Sequence, residues 1–199
     1  GNRFSGGFKY AKSPADWQGD NLTEELRSYN IRAVDKVANF FEWNAELGGP
    51  IVKDKLWFFG AFRKARYDKP IANTFDLPTN VPAPQAFAQC LSGAISCEQG
   101  VSPEKMDNPI VRLTWQASQR NKFSVYMDRA LRLRAGAMSN ATDPRTASVV
   151  WNTPVFATGS AKYTSTLSSS LLLESGFSFN RERYDNLYQD GILAERNTP

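Results

Sequence analysis

Hydrophobic and polar residues alternate along much of this chain with a period of two, the signature of strands that present different faces to different surroundings. From residue 39, Phe41, Trp43, Ala45 and Leu47 are apolar, and the intervening Glu42, Asn44 and Glu46 are polar. From residue 110, Val111, Leu113, Trp115 and Ala117 oppose Arg112, Thr114, Gln116 and Ser118. From residue 122, Phe123, Val125, Met127, Leu131 and Leu133 share one face, interrupted by Arg129. Their counterparts are Lys122, Ser124, Tyr126, Asp128, Arg132 and Arg134. Ala161, Tyr163 and Leu167 oppose Lys162, Thr164 and Thr166, and Leu171, Leu173, Phe177 and Phe179 oppose Glu174, Ser178, Asn180 and Glu182. At the head of the chain Phe4, Phe8 and Tyr10 alternate with Arg3, Ser5 and Lys9. Residues 56–67 are ambiguous in their first half; we place Leu56, Phe58 and Phe62 on the apolar face and Arg63 on the polar one.

This predicts seven strands of about ten residues or more, where globular strands average about five or six and a tilted bilayer-crossing strand needs about nine to eleven. The expected connections fall into two kinds. GGPIVKDK, ASQRNK and TSTLSS are short and polar, and the first marks Gly48, Gly49, Lys53, Asp54 and Lys55 as turn residues. The others, residues 12–38, 68–108 and 134–156, are long, and the two kinds alternate strictly. Three long structureless connections argue against a compact soluble domain; short turns on one side and long loops on the other suit an outer-membrane barrel. A short helix is expected near residues 21–29, where DNLTEEL reads as a helix start.

Composition narrows the classes. The chain has 199 residues, a net charge of +4 and 13% aromatic residues. Its mean hydropathy of −0.46 leaves no apolar run that would make a spanning helix; strands dilute that signal, so a β-barrel stays open. No basic stripe or RNA-binding signature is present, so nucleic acid is not expected as a partner. The opening GNRFSGGF has neither a methionine nor an apolar leader and reads as part of a longer precursor. Cys90 and Cys97 form a C-x6-C pair, either a disulfide stapling a loop in an oxidising compartment or two free thiols. With no histidine, Cys/His zinc sites and Ser-His-Asp or Cys-His arrangements cannot be assembled. No carboxylate pair has fixed glycosidase spacing and no phosphate loop is present, so neither an enzyme nor a cofactor is expected. The N-A-T at Asn140 matches a glycosylation acceptor pattern.

Residues 40–66, FFEWNAELGGPIVKDKLWFFGAFRKAR, resemble the first barrel hairpin of TonB-dependent outer-membrane transporters, closest to the Oar-like group. GNRFSGGFKY is similar to the strand that follows the plug domain there, and NPIVRLTWQASQRNKFSVYMDR to the next hairpin. The resemblance implies one all-β domain over residues 1–199. It would be a fragment of an antiparallel up-and-down transmembrane β-barrel of about 22 strands, with long outer loops and short periplasmic turns. No plug, TonB box or final aromatic strand lies in this stretch, and seven strands alone leave two bare edges.

The implied partners are outer-membrane lipid, the protein's own plug domain, the TonB complex acting through that plug, and an unidentified small ligand. Trp57 and Phe58, just past the turn, are expected at the periplasmic interface, with Trp43, Trp115, Phe123 and Tyr163 facing the same way. Glu42, Asn44, Glu46, Arg112, Thr114, Gln116, Tyr126, Asp128, Lys162, Glu174, Asn180 and Glu182 are expected to line the lumen, as plug contacts or as a solvated wall. Asp16, Trp17, Tyr67, Phe75, Phe87 and Trp151 are loop candidates for ligand contact. Two rival readings are an outer-membrane barrel without a plug cycle, serving as adhesin, secretion partner or scaffold, and a secreted carbohydrate-binding β-sandwich.

Overall fold

The computed structural model describes residues 2–78, 80–134 and 149–188. Their strands are β1 (Ser5–Pro14), β2 (Asn39–Val52), β3 (Leu56–Phe75), β4 (Gln99–Gln116), β5 (Asn121–Arg129), β6 (Leu131–Arg134), β7 (Val149–Ser168) and β8 (Leu171–Tyr188). Two helices, α1 (Glu24–Ser28) and α2 (Ala83–Ser92), and a 3-10 turn at Ala15–Trp17 lie in the long connections. The strands form one eight-stranded antiparallel sheet that runs up and down in chain order. β6 continues β5 between β4 and β7, and β8 lies outside β7. The chain is all-β, and among the described residues no second sheet packs on this one, as a sandwich would require.

The strand expected over residues 122–134 is two strands. Ile110↔Asp128 and Asp107↔Leu131 keep a common register across the break, and the Ala130 N–H donates to the Phe156 carbonyl at 2.9 Å. The irregularity lies opposite, where the β7–β8 register shifts between Asn152 and Val155. Pro154 has no N–H to give to a ladder. Thr153 compensates: its Oγ1 accepts from the Arg132 N–H at 2.7 Å and donates to the Arg132 carbonyl at 3.0 Å.

Three strands run further than alternation reveals. β3 continues to Phe75, β4 begins at Gln99 and β7 begins at Val149. Pairs such as Asp68↔Pro103 and Lys69↔Ser102 belong to the ladder, although neither residue type marks an apolar face. Alternation reports contrast between two faces, and it vanishes where both faces are polar.

The supposed loop 68–108 therefore shrinks to 76–98 and contains α2. This helix starts at Ala83 and Pro84, where a missing N–H is harmless, and ends at Gly93 with φ 76°. α1 is capped by Thr23, whose Oγ1 accepts from the Leu26 N–H at 3.3 Å.

Gly48 and Gly49 are not turn residues. They lie inside β2, opposite Phe59 and Phe58, and the hairpin turns at Lys53-Asp54-Lys55 with Asp54 at φ 61°. The two glycines seat rings instead. A Cβ on Gly49 would come within 2.4 Å of the Phe4 ring, and one on Gly48 within 3.2 Å of Phe59.

The buried apolar cluster among the described residues lies at the long-loop end of the sheet, where Phe75 ends β3. Phe75, Leu77, Ala86 and Cys90 form it, with Phe87, Leu91 and Ile95 packed around them. Cys90 and Cys97 are disulfide-bonded, with Cα atoms 5.6 Å apart, so the disulfide reading holds rather than free thiols.

Candidate functional site

Register decides what each face carries, because cross-strand partners point the same way. From Glu42, Asn44 and Glu46 on β2, the pairings lead to Arg63 and Ala61 on β3, then to Asn108, Arg112 and Thr114 on β4. They continue through Tyr126 and Asp128 on β5, Lys162 on β7, and Glu174, Asn180 and Glu182 on β8. All twelve residues expected to line a lumen, Gln116 included, thus share one face. Arg63 Nη2 donates to Glu42 at 2.7 Å, and Lys162 lies 2.7 Å from Glu174. Asp128 accepts from Asn108 Nδ2 at 2.6 Å and from the Tyr126 hydroxyl at 3.2 Å. Three of these contacts cross between neighbouring strands and the Tyr126–Asp128 bond lies within β5, so the polar side chains of this face hold one another.

The opposite face is apolar and, among the described residues, uncovered. Phe8, Trp115, Val125 and Phe177 are 70%, 50%, 52% and 68% exposed. Near the short turns, Trp115, Phe123 and Tyr163 stack side by side, with ring centroids 5.6 and 4.7 Å apart. The Tyr163 hydroxyl donates to Asn121 at 2.6 Å. Further up, Trp43 lies 5.1 Å from Phe62 and 6.4 Å from Phe8. Above these rings the same face becomes charged, with Lys12, Lys64, Arg66, Lys105, Asp107, Arg129 and Arg181 at successive strand positions. The apolar belt therefore has two edges, each marked by aromatic rings.

Trp57 departs from expectation. Neighbouring strand residues point to opposite faces, so Trp57 and Phe58 cannot both join the belt. Phe58 pairs with Leu113 and faces the belt; Trp57 pairs with Thr114 and faces the polar side. The indole Nε1–H donates to Asn2 Oδ1 at 3.3 Å, and Asn2 also bonds the Asp54 side chain and backbone N–H. Trp57 and Phe59 there line an open cleft of about 580 Å³ with Arg3, Glu46, Gln116 and Lys122.

The long-loop end is a pinned cap. Asn73, at φ 49°, accepts from the backbone N–H groups of Arg32 and Ala33 at 2.9 and 3.3 Å and donates to the Asn30 carbonyl. Gln99 Nε2 donates to the carbonyls of Val34 and Ile71, each at 2.9 Å. Asp35 takes the Lys69 ammonium at 2.6 Å and the Ala72 N–H at 2.7 Å. Among the loop candidates, Trp17 is 79% exposed on the 3-10 turn that also holds Asp16. Phe75 is buried against Phe87 of α2 and, like Tyr67, belongs to β3, so exposure is no argument for Phe75 as a ligand contact. The side chain of Trp151 and all of Asn140 lie outside the described residues.

The Lys69 hydrogen bond, the Ala72 N–H and the Lys69 charge hold the Asp35 carboxyl below its usual range. A depressed carboxylate stabilises the fold above its unfolded pKa, and that contribution is lost as pH falls through the folded value. Protection of the Lys36, Ala38 and Ala72 amides, corrected for intrinsic exchange, should hold from neutral pH down to about 4 and fall below it. D35N should remove this pH dependence, which hydrogen exchange checks.

No three His, Cys, Asp or Glu side chains among the described residues are grouped to hold a metal ion. Compared with protein-family profiles, curated proteins and solved structures, the chain finds no match.

Proposed function

We propose that this chain is part of the barrel wall of a TonB-dependent outer-membrane transporter. One observation carries the reading: a single up-and-down antiparallel sheet with an uncovered apolar belt on one face and a hydrogen-bonded polar wall on the other. Such a belt, bounded by aromatic rings and then by charge, suits a bilayer. From Leu171 to Phe179 it runs about 27 Å along β8, about 20 Å of height at a barrel tilt of about 40°. The stretch ELGGPIVKDKLWFFGAF adds the family likeness.

On this reading the cap faces outward and the three short turns lie on the periplasmic side. Ligand enters past the cap, and the polar wall guides and hydrates the path. The opening force comes through TonB to a plug seated against Arg63, Arg112 and their neighbours. This stretch does not itself touch TonB. It acts as a passive wall and performs no chemistry on the ligand.

The test is intact mass and solubility of the native polypeptide. A heat-modifiable chain, extracted from outer membranes only by detergent and several times heavier than 22.3 kDa, supports the reading. Uptake by cells carrying it should also stop when the proton-motive force is collapsed. A native chain of about 22.3 kDa, or one soluble without detergent, overturns it.

A further inference from the structure

Above the belt, one cross-strand row on the outward face reads Lys12, Phe41, Arg66, Lys105 and Leu133 across five strands. Arg66 stands directly opposite Lys105, in strands about 4.8 Å apart. Like charges placed so are unfavourable unless something neutralises them.

Nearby cations are already engaged. Lys64 pairs with Asp107 at 3.7 Å, and Arg129 donates to the Pro154 carbonyl at 3.2 Å. The nearest acid on that side of β3, Asp68, accepts from Asn39 at 3.2 Å. Among the described residues, no carboxylate is paired with Lys12, Arg66 or Lys105. Lys12 and Lys105 are exposed and Arg66 is half-buried.

We propose that Lys12, Arg66 and Lys105 form a clasp for the phosphate groups of anionic lipid headgroups in the outer leaflet. The proposal rests on the membrane reading above. Height supports it: Arg66 lies four residues beyond Phe62, about 13 Å along the strand and about 10 Å higher at barrel tilt. That is the polar zone beyond the hydrocarbon, and long cationic side chains reach within it. Charge supports it too, since three unpaired cations across four strands match a headgroup bearing two phosphates better than a zwitterion. The Arg66 guanidinium can take phosphate bidentately, and the two lysines act as point charges on either side.

The experiment uses the full-length protein extracted in detergent, with diphosphoryl lipid A as probe and native mass spectrometry as readout. K12Q/R66Q/K105Q should weaken binding about fivefold per charge removed, while K53Q/K55Q, at the opposite end, should leave it unchanged. Dephosphorylated lipid A should bind wild type and the triple variant equally. The heat-modifiable gel shift monitors folding; if the triple variant fails to fold, R66Q and K105Q singly carry the comparison. A folded, membrane-inserted variant that binds diphosphoryl lipid A as wild type does overturns the clasp and leaves the membrane reading standing. Equal loss in K53Q/K55Q also overturns it. A wild-type protein soluble without detergent overturns both.

Discussion

Val125→Arg should cripple insertion of this protein into a bilayer, and Ser160→Arg, one strand away, should not. Val125 sits mid-belt, in the row Leu113, Val125, Ala161 and Phe177. On the proposed membrane reading, an arginine there faces hydrocarbon, in a row of Leu113, Ala161 and Phe177. On the lipid side of a barrel this costs about 2–4 kcal/mol near the midplane, at least a tenfold shift in the folding equilibrium at about 1.4 kcal/mol per decade. Ser160 pairs with Tyr126 and Ser178 on the polar wall. An arginine at that position meets hydroxyls and an aromatic ring, and the expected change is within about 0.5 kcal/mol. The check is urea titration of folding into lipid vesicles, followed by heat-modifiable mobility. Small and equal effects at both sites would sink the bilayer assignment of the apolar face, because in water an exposed Val→Arg is nearly neutral.

Removing the disulfide should loosen the cap while the sheet stays intact. The bridge closes a short loop, from Cys90 to Cys97, beside the cluster of Phe75, Leu77 and Ala86. For a loop of this length the chain-entropy account gives about 2–3 kcal/mol. That is large for a cluster of this size, because few apolar side chains hold α2 in place. C90S/C97S should be cleaved within residues 76–98 tens of times faster by added protease. The gel shift that reports the barrel should not change, since cap and belt share no partners and distant effects add. Unchanged cleavage would show that Phe75 and its neighbours hold α2 without the bridge.

Legibility followed the contrast between the two faces. Along most of the apolar belt, apolar residues alternate with polar ones. The class of fold, the up-and-down order, the turn at Lys53-Asp54-Lys55 and the common face of the twelve polar residues from Glu42 to Glu182 were therefore legible in the sequence. Arg129, which interrupts the pattern, sits where β5 gives way to β6, although the pattern predicted one strand across it.

The tertiary structure decided what lies beyond that contrast. The ladder carries β3 on to Phe75 and brings β4 back to Gln99 through pairs polar on both sides, where backbone hydrogen bonds act without a hydropathy signature. It sends Trp57 to the polar wall and Phe58 to the belt, because a run of three aromatics hides its own phase and only partner strands reveal it. It moves Gly48 and Gly49 from the turn into the strand, since a glycine that seats a ring and one that bends a chain look alike in one dimension. The row of Lys12, Arg66 and Lys105 is assembled from three distant segments. Sequence alone determines what each strand offers to either side; which charges end up side by side is settled only when backbone pairing fixes the register.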